Sequence, residues 1–241
     1  MKLLNQHQNQ QLKGRTSGSA GSPPADNGRL NVVDFVSHLI CRQSAIEQKR
    51  LAEIGRANKQ RCLAENLSGA GIPSRGQGVS VASVGENYRE AVLGYCQSLK
   101  NRLERGAGVF MFGGKGTGKT TAAYAILNYA AAGGYSVAYT TALGLINAYK
   151  AAGYEGHDGF IKKAAEPDFM VIDELDKAHG SPHDIVILGE IIDVRYRQQK
   201  PIISCVNKAF NVVEQMIGEY AFDRITGDGV MLLEFNGDSY R

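Results

Sequence analysis

Gly113-Gly114-Lys115-Gly116-Thr117-Gly118-Lys119-Thr120 is the stretch whose reading decides the fold. It satisfies G-x-x-x-x-G-K-[ST] at every fixed position, a coincidence expected only about 0.02 times in a chain of this length and composition. The apolar run 109–112 before it reads as a strand, and the alanine-rich run 121–132 after it reads as a helix. Strand, glycine-rich loop and helix in that order form the context in which such a loop holds phosphate. Its glycines let successive N–H groups turn inward, and the helix N-terminus adds a positive end. Lys119 then places a point charge between a β- and a γ-phosphate, and the Thr120 hydroxyl suits Mg²⁺. Gly113 through Thr121 are the expected nucleotide cradle, with ATP and Mg²⁺ as the expected cofactors.

Working outward, short apolar runs at 135–141, 169–172, 202–206 and 230–235 read as further strands separated by helical stretches, and 86–104 reads as one helix ahead of them. Such alternation predicts an α/β fold, a parallel sheet with helices on both faces. Phe169-Met170-Val171-Ile172-Asp173-Glu174 is an apolar strand that ends in two acids. A strand buried on both faces presents carboxylates only at its end, which is where sheets of this kind bind ligands. Asp173 is expected to hold Mg²⁺ through water, and Glu174 to polarise an attacking water, which favours hydrolysis over transfer to a small substrate. Pro201-Ile202-Ile203-Ser204-Cys205-Val206-Asn207 is a second such strand, ending in an amide. Asn207 there either holds the attacking water or γ-phosphate, or caps the following helix.

Farther out the composition changes. Residues 1–29 are rich in Gln, Asn, Ser, Gly and Pro, and are expected to be a disordered leader. Residues 30–67 read as a basic helical region: residues 1–67 carry ten Lys and Arg against five Asp and Glu, whereas the rest carries 17 against 19. The net charge of +3 thus hides a basic appendage on a mildly acidic body. That asymmetry suggests a polyanion or an acidic partner, and Arg42, Lys49 and Arg56 share one helical face by their sevenfold spacing. Residues 68–85 read as a linker and 86–241 as the nucleotide-binding domain. The four cysteines contain no CxxC pair, which excludes a disulfide framework or zinc ribbon. Lys2, Leu3 and Leu4 before Asn5 are too short an apolar run for a secretory signal, so the cytoplasm is the expected setting. Residues 120–149 hold no charged side chain, yet Gly133-Gly134 and several amides and hydroxyls interrupt them, so no membrane span is expected.

Together with Phe222-Asp223-Arg224 and the terminal Gly237-Asp238-Ser239-Tyr240-Arg241, these motifs resemble the AAA+ ATPases of the DnaC and DnaI helicase-loader group. The transposition helper IstB, of the same branch, is the close alternative. The resemblance covers about residues 65 to 241, and Ser-Gly-Ala-Gly-Ile-Pro at 68–73 is similar to the connector that joins a loader's adaptor to its core. It implies an AAA+ P-loop core with a five-stranded parallel sheet in the order 5-1-4-3-2, without a C-terminal lid, behind a small helical N-terminal region. It implies that Asp173 and Glu174 are Walker B and Asn207 is sensor 1. Arg224 becomes an arginine finger inserted into a neighbour's site, its alternative being an ion pair with Asp223 or Asp228, and Arg241 a second phosphate sensor. The implied partners are a hexameric replicative DNA helicase held by the N-terminal region, single-stranded DNA, and further copies of the chain across ATP interfaces. The implied setting is a bacterial cytoplasm, for a cellular or a phage-borne gene alike. IstB-like activity would replace these partners with duplex DNA and a transposase. Three positions depart from the pattern: Lys115 stands where Pro is usual, Tyr220 where a further Arg is often found, and Asp176 where Gly is common.

Weaker signals remain. Ser181-Pro182-His183-Asp184 reads as a helix start. His179 with His183, or His38 with Cys41 and Cys62, have metal-ligand chemistry but unsuitable spacing or context. Arg195 and Arg197 are candidates to reach DNA or a neighbouring copy. Tyr149, Tyr154 and Tyr196 beside basic residues are either base-stacking or packing groups, and residues 79–88 are eligible for the adenine by position.

Overall fold

The computed structural model describes Lys49, Arg50, Glu53, Leu67, residues 69–178 and 181–237, and Ser239. The chain divides into two units, Met1–Ala52 and Glu53–Arg241. In the first, Lys49 and Arg50 have helical backbone and exposed side chains; the architecture that follows belongs to the second. The 1–29 leader, most of the 30–67 region, His38, Cys41, Cys62, His179 and Arg241 lie outside the described residues.

From Glu86 the elements run α1 (Glu86–Gln97), α2 (Leu99–Glu104), β1 (Val109–Gly113), α3 (Lys119–Ala132), β2 (Val137–Thr141), α4 (Ala142–Ala151) and α5 (Gly153–Ala165). They continue through β3 (Phe169–Asp173), α6 (Pro182–Arg197), β4 (Ile202–Cys205), α7 (Phe210–Ile217), α8 (Glu219–Thr226) and β5 (Met231–Phe235). The five strands form one sheet in the order β2-β3-β4-β1-β5, with every pairing parallel. This is the order the resemblance implies. Among the described residues no helix is long and apolar enough to cross a membrane.

Side chains alternate along a strand, so successive residues of β1 feed different cores. Val109 and Met111 pack with Val92, Tyr95, Ile126 and Leu127 of α1 and α3. Phe110 turns to the other face, where Ile146, Ile187, Leu188 and Ile191 of α4 and α6 lie with Val213 and Ile225. Burial on both faces explains why the strands read as unbroken apolar runs.

Two sequence expectations change. The helix expected over 86–104 is interrupted at Ser98, whose hydroxyl donates to the carbonyls of Gly94 (2.9 Å) and Tyr95 (3.0 Å). Such a local bond competes with the helical ladder. Arg195, expected to reach outward, is fully buried. It donates to the carbonyls of Ala164, Pro167 and Pro201, each at 3.0 Å, and burial brings its pKa down to about 10. It therefore clasps the chain segments flanking β3 and β4, while Arg197 remains outside and pairs with Asp193 at 2.8 Å. Ser181 does cap α6, accepting from the Asp184 N–H at 3.3 Å, with Pro182 at the first helical position.

The stretch read as a linker is packed against the sheet. Ile72 and Val84 are buried in the core. The Ala70 carbonyl accepts from the Tyr139 N–H at 2.7 Å, and Asn128 of α3 donates to the carbonyls of Gly76 and Val79, both at 2.8 Å. This segment thereby lies along β2 and α3, and its last part, Ala82 to Gly85, shares a cleft with the glycine-rich loop.

Candidate active site

The loop joins β1 to α3 at the carboxyl edge of the sheet, between β4 and β5. Gly113 has φ 129°, and a β-carbon there would lie 2.3 Å from the Phe235 carbonyl oxygen. Only glycine lets the loop leave the strand at that point. Gly116 and Gly118 also have positive φ, and Gly118 in the left-handed region leads directly into α3.

Lys119 is 4% exposed. Its ammonium donates to the carbonyls of Gly113 (3.1 Å) and Gly114 (2.5 Å) and to the Thr117 hydroxyl (3.3 Å). Burial holds it below the ordinary lysine range, opposed by the nearby Cys205, Asp173 and Asp176. Its charge is therefore directed at the underside of the loop. Cys205, fully buried at the end of β4, has its thiol pushed well up, by desolvation first and then by Asp173, against which it lies.

Asp173, at the end of β3, is brought against α3: the Thr120 hydroxyl donates to its Oδ2 at 2.9 Å. The Tyr139 hydroxyl of β2 donates to the same oxygen at 2.9 Å, and the Glu174 N–H donates to Oδ1 at 2.7 Å. Glu174 itself has φ 52°, a left-handed backbone unusual for a side chain other than glycine. That turn takes its carboxylate out of the sheet, where Oε1 accepts from Lys177 Nζ at 2.6 Å. Asn207, just past β4, is held by Asp176, whose Oδ1 accepts from its backbone N–H (3.0 Å) and from Nδ2 (3.4 Å).

These groups line one cleft of about 570 Å³, together with Lys115 to Thr121 on one side and Ala82 to Gly85 and Arg89 on the other. Arg89 fixes that second wall by donating to the carbonyls of Ala82 (3.3 Å) and Val84 (3.1 Å). Two adjacent hard oxygens, from Thr120 and Asp173, fit Mg²⁺, which takes few protein ligands and completes its shell with phosphate and water. The structure thus brings together Gly116 to Thr121, Asp173, Glu174 and Asn207, with Gly113 and Gly114 bonded to Lys119 beneath them.

Arg224 does not line this cleft. It lies on α8, its guanidinium 4.4 Å from the Tyr196 ring centre and 4.3 Å from that of Tyr220, near Asp193 (3.5 Å) and paired with Asp223 (3.0 Å). The Asp223 pair is the alternative considered from sequence; Tyr220 bonds Asp193 and stacks on the arginine. Of the tyrosines, Tyr149 is buried and stacked on His157 at 3.9 Å, so it packs, whereas Tyr154 is exposed.

Sequence reasoning missed Tyr139 and Arg89, and noted Asp176 only as a departure. Nothing local marks Tyr139, because its contact exists only through the pairing of β2 with β3. An unexpected acid two places after Glu174 was a usable signal for Asp176.

Comparison with known proteins agrees with this geometry. Residues 96–241 match the family described as IstB-like ATP binding protein. Over 202 residues, 80% of each chain, the protein is 30% identical to the uncharacterised protein YdaV of Escherichia coli strain K12. It is 27% identical to the replicative helicase loader DnaC of the same strain over 202 residues, 80% of this chain and 81% of DnaC. A crystal structure of the DnaC helicase loader superposes with a TM-score of 0.60 at 22% identity, covering 68% of this chain and all of that one. With its phosphate loop, strand-end acids and sheet order, the chain belongs to the IstB-like ATP-binding family and is a P-loop ATPase of the AAA+ fold.

Proposed function

We propose that this ATPase loads a replicative DNA helicase, binding the helicase through the basic region 30–67 and single-stranded DNA through an assembly held together by ATP. The observation that carries this reading is the extent of the likeness to DnaC. It spans 80% of this chain and 81% of DnaC, whereas the family match begins at residue 96. The ATPase core is common to loader and transposition helper and does not separate them; similarity reaching well upstream of that core favours the loader.

In this reading ATP lies with its base against Ala82 to Gly85 and its phosphates over the loop. Lys119 exchanges the neutral Gly113 and Gly114 carbonyl acceptors for anionic β- and γ-phosphate oxygens, so that both sides of the contact are charged. Thr120 and Asp173 would hold Mg²⁺, which would supply neutralisation of the phosphate charge. Glu174 releases Lys177 to orient and deprotonate the attacking water, while Asn207, fixed by Asp176, holds water or γ-phosphate. Arg224 lies outside its own cleft, among Tyr196, Tyr220, Asp193 and Asp223, which suits a finger that completes the next copy's site. Contacts that use different surfaces of each copy are heterologous and build an open or closed ring.

Light scattering after gel filtration, with this protein mixed with the host's replicative helicase and ATP, tests the reading. A complex larger than the helicase alone, lost when Arg42, Lys49 and Arg56 are all changed to Glu, is the expected result. No complex under any nucleotide condition would replace it with the transposition helper, and a transposase with duplex DNA would be the next partner.

A further inference from the structure

Resting on the assignment of Asp173 as a metal-holding carboxylate, we propose that Tyr139 is a positioning residue for that site. Its hydroxyl fixes the Asp173 side chain so that Thr120 is free to turn to Mg²⁺. Asp173 Oδ2 accepts two hydroxyls at the same distance, Thr120 from α3 and Tyr139 from β2, each at 2.9 Å. Only Thr120 has a second task. Were its oxygen to ligate a cation, its proton would have to point away from the metal, so its bond to Asp173 would be constrained by the cation, whereas that of Tyr139 would not. The Glu174 N–H stays on Oδ1 at 2.7 Å and the buried Cys205 thiol, a weak donor, lies against Asp173, but neither fixes the carboxylate's rotation as a second hydroxyl does. Tyr139 is the second point that stops it, and a carboxylate that orients a metal site, directly or through water, holds the metal more tightly when it is itself hydrogen-bonded.

The fold delivers this hydroxyl from several directions. Tyr139 pairs with Val171 in the register of β2 and β3, which places it on the same sheet face as Asp173, two residues farther on. Its backbone N–H is fixed by the Ala70 carbonyl at 2.7 Å. Its own carbonyl lies so close to Gly71 that a β-carbon there would be 2.7 Å from the oxygen. Its ring packs on Tyr124 of α3 at a centroid distance of 5.0 Å. A tyrosine held on backbone and ring has little freedom left, and its hydroxyl is directed at one carboxylate oxygen.

The test uses the full chain and a fluorescent, non-hydrolysable ATP analogue, with binding followed first in EDTA and then through a Mg²⁺ titration. Tyr139→Phe removes one oxygen and keeps the ring against Tyr124. Its affinity in EDTA is expected to match the parent, while the Mg²⁺ concentration at half effect rises about tenfold, the lower end of what losing an outer partner costs a metal site. Asp173→Asn, run beside it, is expected to lose the Mg²⁺ response. A Tyr139→Phe titration that superimposes on the parent, with Asp173→Asn defective, would overturn the role of Tyr139 alone. Equal weakening of Tyr139→Phe in EDTA would also overturn it, leaving a general packing role. An undiminished Mg²⁺ response in Asp173→Asn would remove the metal assignment and this inference with it.

Discussion

Lys119→Ala loses nucleotide binding, by at least about 100-fold, or about 2.7 kcal/mol. The ammonium is buried under the loop, and its acceptors, the Gly113 and Gly114 carbonyls and the Thr117 hydroxyl, are the ones that phosphate oxygens would replace. A point charge against a polyphosphate in a partly desolvated cleft contributes more than a surface pair does. Removing it also leaves the Gly113 and Gly114 carbonyls without their partner, so Lys119→Met, which keeps the stem, separates charge from packing. Equilibrium titration with a fluorescent ATP analogue checks both variants. Binding within twofold of the parent in Lys119→Met would mean that the backbone cradle alone holds the phosphates.

Glu174→Gln keeps ATP binding and lowers turnover by about 10²- to 10⁴-fold, the usual contribution of a positioned general base. Its left-handed backbone and the bond from its N–H to Asp173 aim the side chain over the cleft independently of its charge. The amide is therefore expected to occupy the same place without accepting a proton. Single-turnover phosphate release, with nucleotide binding measured in parallel, is the check. Release at the parental rate would remove Glu174 from the chemistry and turn attention to Asn207 with Asp176.

How far the sequence carried depended on whether a feature was local. The loop from Gly113 to Thr120 was readable in full, because each glycine and the lysine act through their own backbone and the helix they start. Asp173 and Glu174 were readable because a doubly buried strand has one place for acids. The strand order was supplied by the resemblance, since periodicity says nothing about which strands are neighbours. Tyr139 was invisible for the same reason: its partner lies 34 positions away, across the pairing of β2 with β3. Arg195 was read as reaching outward because an arginine near a helix end is usually solvated, while the three carbonyls that need a donor converge on it only after folding. The break at Ser98 came from a side chain competing with the helix, a choice that composition does not settle.

The proposal that joins the site, the distant Arg224 and the assembly is a site shared between copies, each completing its neighbour's. Steady-state ATP hydrolysis by a mixture of Arg224→Ala and Lys119→Ala chains tests this most directly. Each variant alone is expected to be inactive. In an equal mixture, an Arg224→Ala chain keeps a working cleft and meets the intact arginine of a Lys119→Ala neighbour at about one interface in four for head-to-tail packing. The predicted result is recovery of about a quarter of parental activity, rising with the excess of the Lys119→Ala partner over the Arg224→Ala chain held fixed. A mixture no more active than its two components, at concentrations where the parent is active, would contradict a site shared between copies.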